Sequence, residues 1–131
     1  MKFYMDILVV DDNKSVREYV SKLLTPLGYN VSTAVNGLDG FEKAQKDEFE
    51  LYIIDHLMPL MNGVTLTKNL TQTSFCADTP ILFMTTQSKD SVKNLSEFNI
   101  FRDIITKPLN EEKFISIVKN IISDVPSKIA L

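Results

Sequence analysis

The sequence predicts an α/β fold, a doubly wound (βα)₅ with one parallel five-stranded sheet. Three observations carry that reading. Short apolar runs alternate with amphipathic stretches along the chain. Three of the runs are nearly all apolar, without alternation, which marks strands buried on both faces of a helix-covered sheet. Four of the runs are closed by aspartates, threonines or a lysine, so the polar chemistry collects at strand ends.

The elements follow in order. Ile7–Val10 is the first run, and Asn13 can cap a helix behind it that continues through Leu24 until Pro26 and Gly28 stop it. Asn30–Ala34 is the second, followed by a helix from about Gly37 to Lys46 with Leu38, Phe41 and Ala44 on one face. Leu51–Ile54 is the third; its helix, about Val64 to Thr73, is threonine-rich and weakly helical by propensity. Ile81–Met84 is the fourth, and the helix starting at Ser88 carries only a narrow stripe of Val92, Leu95 and Phe98. Phe101–Ile105 is the fifth. The last helix begins at Asn110, with Glu111 and Glu112 well placed in its first turn, and Phe114, Ile117, Val118, Ile121 and Ile122 make a broad apolar face. Every run is too short for a helix and rich in β-branched or large apolar residues.

A chain of 131 residues suits one core. We expect a domain over 1–125, a short tail over 126–131, and, from the starting Met1 and the full set of elements, a chain that stands alone. Hydrophobic residues at 44% and charged residues at 24% are ordinary globular values that disfavour disorder and low complexity. A net charge of −3 offers no attraction to nucleic acid or anionic lipid. The run after the N-terminus is far too short for a signal peptide and is closed by two aspartates. No stretch approaches the roughly 18 apolar residues of a membrane span. The lone cysteine, Cys76, allows no intramolecular disulfide and reads as a small packing residue near a helix end. These features fit a cytoplasmic protein.

Ligands of doubly wound sheets bind beyond the carboxyl ends of the strands. Asp11-Asp12 end the first strand, Asp55 the third, Thr85-Thr86 the fourth and Thr106-Lys107-Pro108 the fifth. Three carboxylates gathered on one edge repel each other and invite a hard cation; Mg²⁺ suits one or two carboxylates, waters and a phosphate oxygen. Lys107 can donate a charge-assisted hydrogen bond to a phosphoryl oxygen, and the Thr85 hydroxyl can bind another. An aspartate can serve as the nucleophile and become an aspartyl phosphate, in a reaction that needs positioning and charge neutralisation most.

Asp11-Asp12, Asp55-His56-Leu57-Met58-Pro59-Leu60-Met61-Asn62-Gly63, Thr85 and Lys107-Pro108, in that order and each at a strand end, resemble the receiver domain of two-component response regulators, of the CheY-like chemotaxis kind. The resemblance runs from about Asp6 to Ile122. It implies a flavodoxin-like sheet in the order 2-1-3-4-5. It makes Asp55 the phospho-acceptor, with Mg²⁺ held by Asp12, Asp55 and the main-chain carbonyl of Leu57, and by Asp11 partly through water. Thr85 and Lys107 would bind the phosphoryl group, and the Lys107-Pro108 peptide would be cis. Such a domain is a signalling module rather than an enzyme, at most phosphorylating and dephosphorylating itself. Its donor would be a histidine kinase or histidine phosphotransfer domain, its target a downstream protein, and its state a monomer or weak dimer. Phosphorylation would alter the face made by the fourth helix, fifth strand and fifth helix.

Some residues depart from the pattern. Ile104 stands where receivers usually carry Tyr or Phe, three before the lysine. Ile100-Phe101 replaces the small pair common before the fifth strand, and offers either a docking patch or an inward-packing ring. Leu57 is apolar where polar residues are common, with Gln87 as its partner position after Thr85, and could slow dephosphorylation by excluding water. His56, the sole histidine, reads as a solvent-facing or rim residue in preference to a second phosphorylation site or metal ligand, and Met58, Met61 and Met84 as gap fillers. Two rival readings remain. A phosphatase using an aspartyl phosphate usually spaces nucleophile and acid two apart after its first strand, which Asp11-Asp12 does not. A phosphorylation-independent interaction module would use Ile104 and Ile100-Phe101 as a face that is always on.

Overall fold

The computed structural model describes residues 4–125; the expected tail over 126–131 lies outside them. Five strands, β1 Asp6–Val10, β2 Asn30–Ala34, β3 Leu51–Asp55, β4 Ile81–Thr85 and β5 Asp103–Thr106, form one sheet. All its pairings are parallel, in the order β2-β1-β3-β4-β5. The helices are α1 Lys14–Leu24, α2 Gly37–Lys46, α3 Gly63–Thr71, α4 Lys89–Val92 and α5 Glu111–Ser123. The chain order reverses between β1 and β3, which puts a crevice at the carboxyl ends of those two strands.

The side-chain period of a strand divides the core in two. Ile7, Val9, Leu51, Ile53, Leu82, Met84 and Ile105 face α1 and α5, packing on Val20, Leu24, Phe114 and Val118. Leu8, Val10, Tyr52, Ile54, Ile81, Phe83 and Ile104 face α2, α3 and α4, packing on Ala44, Leu66, Leu70 and Val92. Parallel strands buried on both faces explain the unbroken apolar runs.

Helix starts are fixed by side-chain caps that satisfy the open amides of the first turn. Asn13, Asn36, Asn62, Ser88 and Asn110 accept hydrogen bonds from the backbone N–H groups of Val16, Asp39, Thr65, Ser91 and Lys113. Among the described residues no helix is long and apolar enough to cross a membrane.

Four local expectations need correction. In α2, Leu38 is exposed and the buried face is Gly37, Gly40 and Ala44. Small residues face inward because the helix lies almost on Val10; a Cβ on Gly40 would stand 2.8 Å from its side chain. The third helix runs from Gly63 to Thr71, a residue earlier and two residues shorter at its end than its threonine-rich pattern suggests. The helix after Ser88 is a single turn, Lys89–Val92, followed by tight turns and a 3₁₀ segment at Phe98–Ile100. Its stripe still reaches the core, with Val92 buried and Leu95 and Phe98 packed against it, but three anchors do not sustain a longer helix in which packing supplies most of the stability. Finally, β5 starts at Asp103. Phe101 precedes it, is buried, and stacks on Phe83 with ring centroids 4.1 Å apart and an interplanar angle of 11°. Met58 and Met84 are buried, Met61 is partly so, and Cys76 is buried beside the Ala44 carbonyl after the end of α3.

Gly63 is the close-packed hinge of this architecture. A Cβ there would fall 2.1 Å from the Asp55 carbonyl oxygen, so α3 approaches the end of β3 only because the side chain is missing. Gly63→Ala should lower unfolding stability by about 1–3 kcal/mol, the usual cost of an overpacked site, read as a lower urea midpoint at unchanged slope.

Candidate functional site

Asp11 follows β1 and is fully buried. Its Oδ1 accepts from the Asn13 N–H at 2.8 Å, and its main-chain oxygen accepts from the Arg17 guanidinium at 2.8 Å. Asp12, the next residue, is exposed. Asp55 ends β3 and is 6% exposed. Lys107 follows β5, with the Lys107-Pro108 peptide cis and its own N–H donating to the Thr85 carbonyl at 2.8 Å. Lys107 Nζ lies 2.8 Å from Asp11 Oδ2 and 2.9 Å from Asp55 Oδ1, bridging both buried carboxylates.

Asp11, Asp12 and Asp55 each offer a carboxylate oxygen within 4.8 Å of the others. Burial raises the Asp55 pKa above the ordinary carboxylate value, and the charges of Asp11 and Asp12 raise it further, against the pull of Lys107. Burial by itself would lower the Lys107 pKa, but the hydrogen bonds and charges of Asp11 and Asp55 outweigh it and the ammonium is held above its ordinary value. Three acids facing one ammonium leave an excess of negative charge on a set of hard oxygen donors. Such a set fits a divalent cation.

Leu57 lies in the turn after β3 and is 58% exposed. Ile104 is buried, paired in register with Phe83. Ile100 is exposed while Phe101 is buried, so the apolar pair splits and makes no continuous patch. A cavity of about 560 Å³ opens at the opposite edge of the sheet, lined by Glu50, Pro80 and Arg102 just before β3, β4 and β5, and is separate from the acidic cluster.

Thr85 is fully buried, and its Oγ1 accepts from the Gln87 N–H at 3.0 Å. The same oxygen lies 2.9 Å from His56 Nδ1. His56 is therefore not a rim residue: it is 7% exposed and its ring tilts against Phe83 with centroids 5.0 Å apart. Burial lowers its pKa, favouring the neutral imidazole. The cause is register. Asp55 pairs with Met84, and the His56 N–H donates to the Met84 carbonyl, so His56 continues the strand and meets Thr85. Alternation along β3 held the signal, since 52, 54 and 56 share a face.

The site so described makes a stability prediction. Folding raises the Asp55 pKa, so between the ordinary value of 3.8 and the raised one the folded chain holds a proton that the unfolded chain releases. The charged form destabilises the fold at neutral pH, and that penalty fades as pH falls through the raised value. In a buffer free of divalent cations, Asp55→Asn should therefore have a higher thermal midpoint than wild type at pH 7, with the gap narrowing near pH 4.

The family described as "Response regulator receiver domain" matches residues 7–119. PilH of Pseudomonas aeruginosa is 28% identical over 117 residues, covering 89% of this chain and 97% of that protein. The probable transcriptional regulator ycf29 of Porphyra purpurea is 30% identical over 121 residues, covering 89% of this chain. The chain spans only 56% of ycf29, and about half of several other curated relatives. The chemotaxis response regulator CheY4 of Vibrio cholerae superposes with a TM-score of 0.84 at 33% identity, over 90% of this chain and 98% of that one.

Proposed function

The chain belongs to the response-regulator receiver family, and from that premise we propose that Asp55 accepts a phosphoryl group with the help of Mg²⁺. The observation that carries the reading is one ammonium, Lys107, bridging the buried carboxylates of Asp11 and Asp55 with Asp12 alongside. An Asp55 carboxylate oxygen forms a bond to phosphorus as the donor's P–N bond, for a phosphohistidine, or P–O bond, for an acyl phosphate, breaks. The electron pair leaves on the departing imidazole nitrogen or carboxylate oxygen. Lys107 donates to a phosphoryl oxygen as negative charge spreads over the group. The Thr85 hydroxyl serves a second phosphoryl oxygen. Asp11, Asp12, Asp55 and the Leu57 carbonyl would hold the Mg²⁺, which neutralises charge on the phosphoryl oxygens and carboxylates when bound.

The product is a changed surface rather than a released chemical. A histidine kinase or histidine phosphotransfer domain supplies the phosphoryl group in the cytoplasm, and a downstream protein reads the face of α4, β5 and α5. The single turn of α4, with one buried residue, is the part of that face least tied to the core. The likeness to CheY4, a chemotaxis regulator, supports a chemotaxis-type role.

The test is intact-protein mass after incubation with a small acyl phosphate. Wild type should gain one phosphoryl adduct with Mg²⁺ present, and neither Asp55→Asn nor wild type without Mg²⁺ should gain it. No adduct under any condition would turn the reading to phosphorylation-independent binding. On the reading that an apolar residue at Leu57 keeps attacking water from the phosphoryl group, the adduct should decay several-fold faster in Leu57→Asn; an unchanged decay rate would refute that role.

A further inference from the structure

Thr85 carries the only hydroxyl that the sequence assigns to the phosphoryl group, and in this structure it is already engaged. The Gln87 N–H donates to its oxygen at 3.0 Å, and His56 Nδ1 lies 2.9 Å away. A hydroxyl has one proton to give. Gln87 takes one lone pair of that oxygen, and the imidazole holds the hydroxyl in the tautomer with Nδ1 unprotonated and accepting its proton, since a protonated Nδ1 would fill the second lone pair and leave the hydroxyl free. A phosphoryl oxygen can only accept, so it needs the same proton.

We propose that His56 is a latch on Thr85: the imidazole holds the hydroxyl that a phosphoryl group on Asp55 must capture, and release of the latch is felt through Phe83 and Phe101. The proposal rests on the receiver reading of Asp55. His56 is a positioning residue here, acting through Thr85.

The path outward is continuous contact. The His56 ring lies 5.0 Å from Phe83, and Phe83 stacks on Phe101 at 4.1 Å. Phe101, with Phe98 and Ile104, lines a cavity of about 260 Å³ between α4 and β5. When Thr85 turns to the phosphoryl group, Nδ1 is left buried without its partner, a state that favours movement of the ring. The close-packed aromatic neighbours leave little room for that movement to stay local. The residue at the usual aromatic position, Ile104, is aliphatic and buried, so this chain carries its rings on β4 and in the segment before β5.

The experiment compares rates of adduct formation from a small acyl phosphate with Mg²⁺. His56→Leu keeps apolar bulk against Phe83 but offers no acceptor. It should form the adduct roughly 2- to 10-fold faster than wild type, the span that one hydrogen bond of ordinary net worth supplies. That gain should vanish when both proteins also carry Thr85→Ala, and His56→Asn, with an amide oxygen near the Nδ1 position, should bring the rate back toward wild type. A merely structural ring would show neither the dependence on Thr85 nor the rescue. An adduct in wild type with no gain in folded His56→Leu, or a gain that persists without Thr85, overturns the latch and leaves the receiver reading standing. No adduct in any variant removes both. Imidazole ¹⁵N resonances need no His56 variant: Nδ1 should shift on Thr85→Ala and on phosphorylation, and an Nδ1 signal unmoved by phosphorylation overturns the latch.

Discussion

Two carboxylates held almost out of water share one ammonium, and the rest of the molecule is arranged around that fact. Asp11 and Asp55 sit at the ends of neighbouring strands, and Lys107 reaches both from the far edge of the sheet. Removing charge from water is costly unless it is paired and hydrogen-bonded. Asp11 meets that condition through Asn13 and Lys107 together. Asp55 meets it less fully, with burial and two neighbouring acids working against its charged form. The imbalance leaves an excess of negative charge on a set of hard oxygen donors.

Bringing those three side chains together constrains backbone far from them. The reversal of strand order between β1 and β3 opens the crevice in which the acids stand. The peptide that follows the lysine, Lys107-Pro108, is cis. The missing side chain of Gly63 lets α3 close on the carbonyl of Asp55 itself. Asparagine caps at four helices, and serine at the fifth, fix where each helix begins.

Signalling asks more than a reactive carboxylate. It requires an element with two arrangements whose balance the phosphoryl group can shift. Ile104 sits in the core, without the hydroxyl-bearing ring that could alternate between water and interior. The contacts that do run from site to surface pass through His56, Phe83 and Phe101. Coupling in this chain is thus placed on β3 and β4 and in the segment leading to β5, beside the short α4.

The fold and the gathering of the acids with Lys107 were legible in the sequence because their signals are local. Apolar runs without alternation mark buried parallel strands, capping residues mark helix starts, and Asp11, Asp12, Asp55, Thr85 and Lys107 each end a strand. Where partners came from elsewhere in the chain, only tertiary structure decided. Leu38 faces outward, and Gly40 takes the inward position where α2 lies too close to Val10 for a side chain. Phe101 turns inward because Phe83 of β4 presents a flat ring to it. His56 is buried and bonded to Thr85 because the β3–β4 register sets them side by side, 29 residues apart in sequence. Composition and periodicity report what a residue prefers; register and packing determine what it meets.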